Sequence, residues 1–267
     1  MPGPKDIRLE KAPLSVELRE ASLYFGPKII LDHLSLEVPP GAKISILGEN
    51  SSGKSTLLKV MVGLIRPVSG RVLLFGKDPA ATSRSELDKL RRRVGMQFQA
   101  GAMFDSMTVL DNLTLALSEG SLGRAQKKAG TNEIMSLLER VGLGQAAKLR
   151  PSELSGGMRK RAALARALIA KPELALFDEP TAGLDPITAS LIINLLKELS
   201  TLHRAAMVLA TSDVEVAKRF SSDLILLKNG KIAARGDIEA LLASTDPYVE
   251  NYLSRFKVVD TALNGRV

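Results

Sequence analysis

The chain has 267 residues, a formal charge of +8, no cysteine, and 45% hydrophobic residues. This is enough apolar material for a substantial core, organised as one domain with a smaller helical part. A disulfide scaffold is excluded, and so is a helical membrane span, because no apolar run approaches the roughly 20 residues that cross a bilayer.

The opening Met1-Pro2-Gly3-Pro4-Lys5-Asp6 lacks the apolar core of a signal peptide. Short strands of antiparallel type come first, at Ser15–Leu18 and Ile30–Leu36. Lys43-Ile44-Ser45-Ile46-Leu47 then reads as a buried strand. It runs into Gly48-Glu49-Asn50-Ser51-Ser52-Gly53-Lys54-Ser55-Thr56 and the helical Leu57–Val62. Strand, Gly-rich loop and helix in that order form a phosphate cradle. The glycines let backbone N–H groups turn inward on an anion, and the helix N-terminus adds positive potential. Lys54 is placed to reach the β- and γ-phosphates of a nucleotide, and the Ser55 hydroxyl to ligate Mg²⁺.

Pro67-Val68-Ser69-Gly70 marks a change back to a strand at Arg71–Phe75. The basic runs Lys89-Leu90-Arg91-Arg92-Arg93 and Arg159-Lys160-Arg161 fall on expected helices, where a solvated face is the default. No basic patch is interleaved with aromatics, so no nucleic-acid partner is expected. From Thr108 to about Ala147 the pattern is almost wholly helical, with Ile134, Leu137, Leu138 and Val141 at helical spacing. A loop at residues 119–123 interrupts it.

Leu154-Ser155-Gly156-Gly157-Met158 follows, and then a helical run from Arg159 to Ala170. A Ser-Gly-Gly turn opening a helix is a second anion-binding device in the same chain. Glu173-Leu174-Ala175-Leu176-Phe177-Asp178-Glu179 is an apolar strand ending in two carboxylates. Asp178 at its end would hold Mg²⁺, directly or through water, and Glu179 could polarise an attacking water. Beyond it, Ile187–Ser200, Ala206–Ala210, Val214–Phe220 and Leu224–Lys228 alternate helix and strand, which predicts parallel strands joined by crossover helices. Lys228-Asn229-Gly230-Lys231 is a hairpin signal.

Together these motifs resemble the ATP-binding-cassette (ABC) ATPases, whose signature reads Leu-Ser-Gly-Gly-x. The resemblance covers about Val16 to Leu242 and implies an α/β fold: a parallel-sheet P-loop core, an antiparallel β subdomain, and a helical subdomain inserted at about 100–170. An ABC ATPase domain over 14–242 would be followed by a helical extension over 243–267. The family pattern assigns further roles. Phe25 resembles the aromatic that stacks on adenine, with a core position as the alternative. Gln99 resembles the Q-loop glutamine near the metal, or else is a solvated loop residue. Asp185, in Ala182-Gly183-Leu184-Asp185-Pro186, resembles the D-loop aspartate, or else caps the next helix. The resemblance also implies two cassettes packed head to tail, so that Ser155, Gly156 and Gly157 of one chain cap the ATP held by Lys54 of the other.

Within the family, Phe98-Gln99-Ala100-Gly101-Ala102-Met103-Phe104, Pro151–Met158 and Asp185-Pro186-Ile187-Thr188 are similar to the ATPases of bacterial MCE-type phospholipid transporters. That resemblance implies integral-membrane permease subunits, an MCE-domain protein, a STAS-domain accessory protein, and a place on the cytoplasmic face of the inner membrane. An ABC transporter for another solute would share the same engine.

Two positions depart from the family pattern. Ser51 stands where Gly is common in the P-loop. Ser212, in Ala210-Thr211-Ser212-Asp213, stands where the family places a histidine that contacts the γ-phosphate. Neither His33 nor His203 matches that place. Ser212 therefore reads as a shorter, uncharged substitute, and a hydrolysis-poor regulatory subunit is the alternative function it raises. Finally, Asp246-Pro247 starts a new element in which Tyr248, Tyr252 and Phe256 recur at i, i+4 and i+8. This aromatic face either folds back on its own cassette or docks on a second chain.

Overall fold

The computed structural model describes residues 13–99, 101–119 and 127–254. Two sheets and a set of helices build the molecule. Strands β1 (Val16–Phe25), β2 (Lys28–Val38) and β4 (Ser69–Leu74) form a three-stranded antiparallel sheet in the order β2-β1-β4. The second sheet has six strands in the order β5-β6-β7-β3-β8-β9. These are β3 (Lys43–Gly48), β5 (Val94–Gln97), β6 (Leu174–Asp178), β7 (Ala206–Thr211), β8 (Asp223–Lys228) and β9 (Lys231–Gly236). All its pairings are parallel except β8–β9. The P-loop strand β3 lies between β7 and β8, so its C-terminal end opens at the middle of the sheet, where ligands bind in open α/β folds.

Residues of β6 and β7 are buried throughout, as strands covered on both faces require. One face packs with α1 (Lys54–Met61) against the antiparallel sheet, through Leu57, Leu58, Ile44, Ile46 and Val208. The other face packs against α5 (Gly156–Leu168) and α6 (Pro186–His203), through Phe177, Leu209, Leu164 and Leu196. That second core continues into the helices α3 (Val109–Glu119) and α4 (Lys127–Arg140), which bury Leu113, Ile134 and Leu138. A short helix α2 (Arg84–Arg91) links β4 to β5, and α7 (Val214–Phe220) and α8 (Ile238–Leu242) complete the cassette.

The expected elements are present, with different bounds. β1 and β2 are longer than the apolar stretches suggested, because register shifts between Leu18 and Tyr24 carry polar residues within a continuous ladder. Helix α1 begins at Lys54 rather than Leu57, since the P-loop closes directly onto its first turn. The long helical region ends where Gly142 takes φ 69 after Arg140, and a 3-10 turn at Gly144–Ala146 follows. The expected hairpin forms, with Asn229 at φ 48 and Gly230 at φ 76 as a type I′ turn requires. Residues 120–123 of the expected loop, Phe256, and the rest of the C-terminal extension beyond residue 254 lie outside the described residues.

The C-terminal stretch 247–254 is helical and is called α9 here. Asp246 accepts from the Tyr248 and Val249 amides at its start, and Val249 and Leu253 are fully buried. It packs with Leu47, Ala217, Leu224, Leu226 and Leu241. Within the described residues, the helix folds back on its own cassette.

Candidate nucleotide site

The P-loop turns at the C-terminal end of β3. Gly48 takes φ 156, and a Cβ there would stand 2.7 Å from the Leu227 carbonyl. Gly53 takes φ 109, and a Cβ there would stand 2.8 Å from the Ile30 carbonyl. Both glycines therefore serve close backbone approach as well as their turn. Ser51 also lies in the left-handed region, at φ 67. The loop keeps its glycine-like path with a serine, at a conformational cost of about 1–2 kcal/mol.

Lys54 is buried, and its Nζ donates to the carbonyls of Gly48 at 2.7 Å and Glu49 at 3.0 Å. It also lies 3.7 Å from Glu179 Oε1. The Ser55 hydroxyl donates to Asp178 Oδ1 at 2.9 Å. These four side chains come from α1 and the end of β6, two elements separated in sequence by the helical insertion. Burial lowers the Lys54 pKa and raises those of Asp178 and Glu179, against the mutual attraction of the opposite charges. A carboxyl poised above its ordinary range suits a base working near neutrality.

Glu179 adopts φ 49, an unusual conformation for a residue with a side chain. Its N–H is bonded to the Ala210 carbonyl at 2.9 Å, and its Oε2 accepts from the Thr211 hydroxyl at 3.2 Å. The Ser212 backbone also favours the charged form of the Glu179 carboxylate. Strain of this kind persists only where the surroundings impose it, and it clusters at functional sites. The Ser212 side chain is exposed; its backbone makes the contacts, the carbonyl accepting from Tyr252 at 3.1 Å. His33 bonds Asp32 at the surface, and His203 ends α6, so neither enters the site.

Asn50, Ser51, Gly53, Lys54, Ser55, Thr56, Gln99 and Glu179 line one cleft, together with Lys28 and Ile30 from β2. The Gln99 backbone favours the charged form of the Asp178 carboxylate. Ser52 is buried beside them, with a hydroxyl that has no partner. Phe25 is 56% exposed at the tip of the β1–β2 hairpin, which rules out the core position left open for it. Three participants carried no sequence signal of their own: Thr211, Lys28, and Gln97. The Gln97 Nε2 donates to the Asp178 carbonyl at 3.3 Å, while its buried Oε1 has no partner.

The signature turn is built differently. Ser155 caps α5 by accepting from the Met158 amide at 3.2 Å, and Ser155 and Gly156 are exposed. Gly157 lies against Leu184, where a Cβ would come within 3.0 Å. Asp185 caps α6, accepting from the Thr188 amide at 2.9 Å and hydroxyl at 2.6 Å. None of Ser155, Gly156, Gly157 and Asp185 lines the P-loop cleft. The P-loop cleft and the Ser155 turn are thus separate places on the chain.

The residues fit a magnesium nucleotide. Gly48 and Gly53 close the turn directly onto the N-terminus of α1, the kind of helix end that binds anions. Ser55 and Asp178 offer two adjacent oxygens, and the described residues hold no cluster of three or more His, Cys, Asp or Glu. Mg²⁺ is characteristically held by few protein oxygens together with substrate phosphates.

A P-loop, a catalytic-type carboxylate after β6 and a separate Ser-Gly-Gly helix cap define a nucleotide-binding cassette. The family pattern described as ABC transporter matches residues 31–182, over half of the chain, and the chain belongs to that family. It is an ABC ATPase, the ATP-binding subunit of a transporter. It is 42% identical over 238 residues to the intermembrane phospholipid transport system ATP-binding protein MlaF of Escherichia coli (strain K12), covering 89% of this chain and 88% of the relative. Its fold matches the dimeric structure of MJ0796, a bacterial ABC transporter cassette, with a TM-score of 0.78 and 32% identity over 84% of this chain and 98% of that one. A dimeric post-hydrolysis state of MJ0796, bound to ADP and Pi, matches with a TM-score of 0.75, 31% identity and the same coverage.

Proposed function

We propose that this chain powers phospholipid transport across the space between two membranes, as an ATP-hydrolysing dimer beneath a membrane-embedded permease. The observation that carries the hydrolytic part is the convergence of Lys54, Ser55, Glu179 and Gln99 on one cleft, with Asp178 bonded to Ser55 beside it and the signature turn outside it. A nucleotide in that cleft leaves its γ-phosphate side uncovered by Ser155–Gly157 of the same chain, so a second copy supplies the cover.

In this reading Gly48, Asn50, Ser51, Ser52, Gly53 and Thr56 shape the loop that wraps the phosphates, and Lys54 neutralises the β- and γ-oxygens. Phe25 stacks on the base. Ser55, Asp178 and Gln99 hold Mg²⁺, which supplies charge neutralisation on the phosphates. Glu179, held by the Thr211 hydroxyl, orients and deprotonates the attacking water. Ser155, Gly156 and Gly157 present a helix N-terminus, and Asp185 its loop, to the partner's nucleotide. Binding therefore closes the dimer, and hydrolysis releases it.

The lipid part rests on the likeness to the phospholipid transport protein. Permease subunits, an MCE-domain protein and a STAS-domain protein are the partners this reading calls for, at the cytoplasmic face of the inner membrane. Among the described residues no helix is long and apolar enough to cross a membrane, so separate chains would supply the passage. The test is to purify the chain with its membrane partners, reconstitute the complex, and follow labelled phospholipid under Mg-ATP. ATP-dependent lipid movement, lost with Glu179→Gln, is the expected result. Active ATP turnover with no lipid moved in either direction would overturn the lipid assignment.

A further inference from the structure

Tyr252 belongs to none of the motifs of the nucleotide site, yet it touches two of its loops. Helix α9 buries Val249 and Leu253 against Leu47 and Leu226, which sets the Tyr252 ring at the end of β3. Its hydroxyl accepts from the Gly48 amide at 3.1 Å and donates to the Ser212 carbonyl at 3.1 Å. The parallel ladder between β3 and β7 ends at the Leu47–Thr211 pair. One residue further on, Gly48 enters the P-loop and Ser212 enters its turn. The tyrosine hydroxyl therefore continues the ladder by one rung, with a side chain in place of backbone.

That rung bears on the base. Tyr252 holds the Ser212 carbonyl, and the Ser212 backbone favours the charged form of the Glu179 carboxylate. Thr211, one residue earlier, donates to the same carboxylate. Tyr248 stands one turn back: its ring lies 6.3 Å from that of Tyr252, and the Lys228 ammonium sits 4.2 Å over its face. Burial raises the Tyr252 pKa, which keeps the phenol protonated and a donor.

We propose that Tyr252 is a positioning residue for ATP hydrolysis: through the Ser212 turn it fixes Glu179 relative to the P-loop, making the docked C-terminal helix part of the hydrolytic machinery. The proposal rests on the reading of Glu179 as the water-activating group. Any partner that lifted α9 from the cassette would slow hydrolysis while leaving the phosphate cradle in place.

Tyr252→Phe tests this, because it keeps the ring and its packing and removes only the hydroxyl. In the assembled transporter at saturating Mg-ATP, kcat should fall about 5- to 30-fold, the scale of one or two lost buried hydrogen bonds. KM for ATP should stay within about twofold, since the interaction acts on the reacting geometry rather than on ground-state binding. The melting temperature reports the fold in parallel. The decisive measurement is the double variant with Glu179→Gln, read by single-turnover hydrolysis. If Tyr252 acts through Glu179, adding Tyr252→Phe should slow the Glu179→Gln chain no further. Unchanged kcat, a parallel rise in KM, or effects that multiply in the double variant would each overturn the proposal. Failure of the Glu179 reading shows separately, as wild-type turnover by Glu179→Gln alone.

Discussion

The P-loop half and the signature half of this cassette are built with opposite physics. Around Lys54 the charges are buried, paired and strained: Ser55 on Asp178, Lys54 near Glu179, and Glu179 itself at φ 49. At Ser155 and Asp185 the carboxylate and hydroxyl are exposed and bonded only to the helices they cap. The buried half holds its geometry before ligand arrives. The exposed half offers a solvent-facing, Ser155-capped helix N-terminus, which gains strength only when a second surface excludes water from it. On the proposed reading, a site divided in this way would keep an isolated chain from completing its own catalytic centre.

The sharpest way to break that comparison is at the base. Glu179→Gln should bind ATP and hydrolyse it about 10²–10⁴-fold more slowly, the usual cost of losing a general base. It should also accumulate as an ATP-bound dimer, visible by size-exclusion chromatography with light scattering. Turnover near the wild-type rate would remove Glu179 from the reaction.

Sharing of the two halves is tested next. Lys54→Ala should lose ATP affinity, and Ser155→Arg should block closure with binding intact. Mixed, the two chains leave one composite site with both halves native. ATPase activity of the mixture should rise several-fold above either parent, up to about a quarter of wild type if a lone site fires independently at half the dimer rate and pairing is random. A mixture as inactive as its parents would mean that both sites must fire together or that they are not shared.

Ser212 offers a smaller effect. Its side chain faces solvent while its backbone carbonyl is anchored by Tyr252. Ser212→His should therefore add a contact to the γ-phosphate without disturbing that anchor, raising single-turnover hydrolysis about 10-fold with ATP affinity little changed. A lower rate would show that the turn is built around the serine.

Ser51 should give the smallest change. Ser51→Gly relieves a left-handed serine but loosens the unfolded chain, two effects of about 1 kcal/mol that oppose each other. Melting should shift by no more than about 4 °C, with ATP affinity within about twofold. A large loss of affinity would assign the Ser51 side chain to the ligand.

Much of this was legible in the residues themselves, and the reason is local. The turn at Gly48–Thr56, the carboxylates closing Leu174–Asp178, and the caps Ser155 and Asp185 depend on contacts within a few residues, so type and spacing suffice to read them. The hairpin at Asn229-Gly230 is of the same kind, because its positive φ values belong to those two residue types. Both readings of Asp185 were available in the sequence, and the structure bears out the cap, which leaves its exposed carboxylate facing outward. What only the tertiary structure decided lies between segments far apart in the chain. Thr211 meets Glu179 across 32 residues, Gln97 meets Asp178 across 81, and Tyr252 meets Gly48 across 204. The i, i+4 pair Tyr248 and Tyr252 signalled a sticky helix, but not its destination. That was set by the gap at the end of β3, where Val249 and Leu253 find Leu47 and Leu226. Hydrophobic periodicity states that a face will be buried; the strand order determines which polar groups await the hydroxyl at its edge.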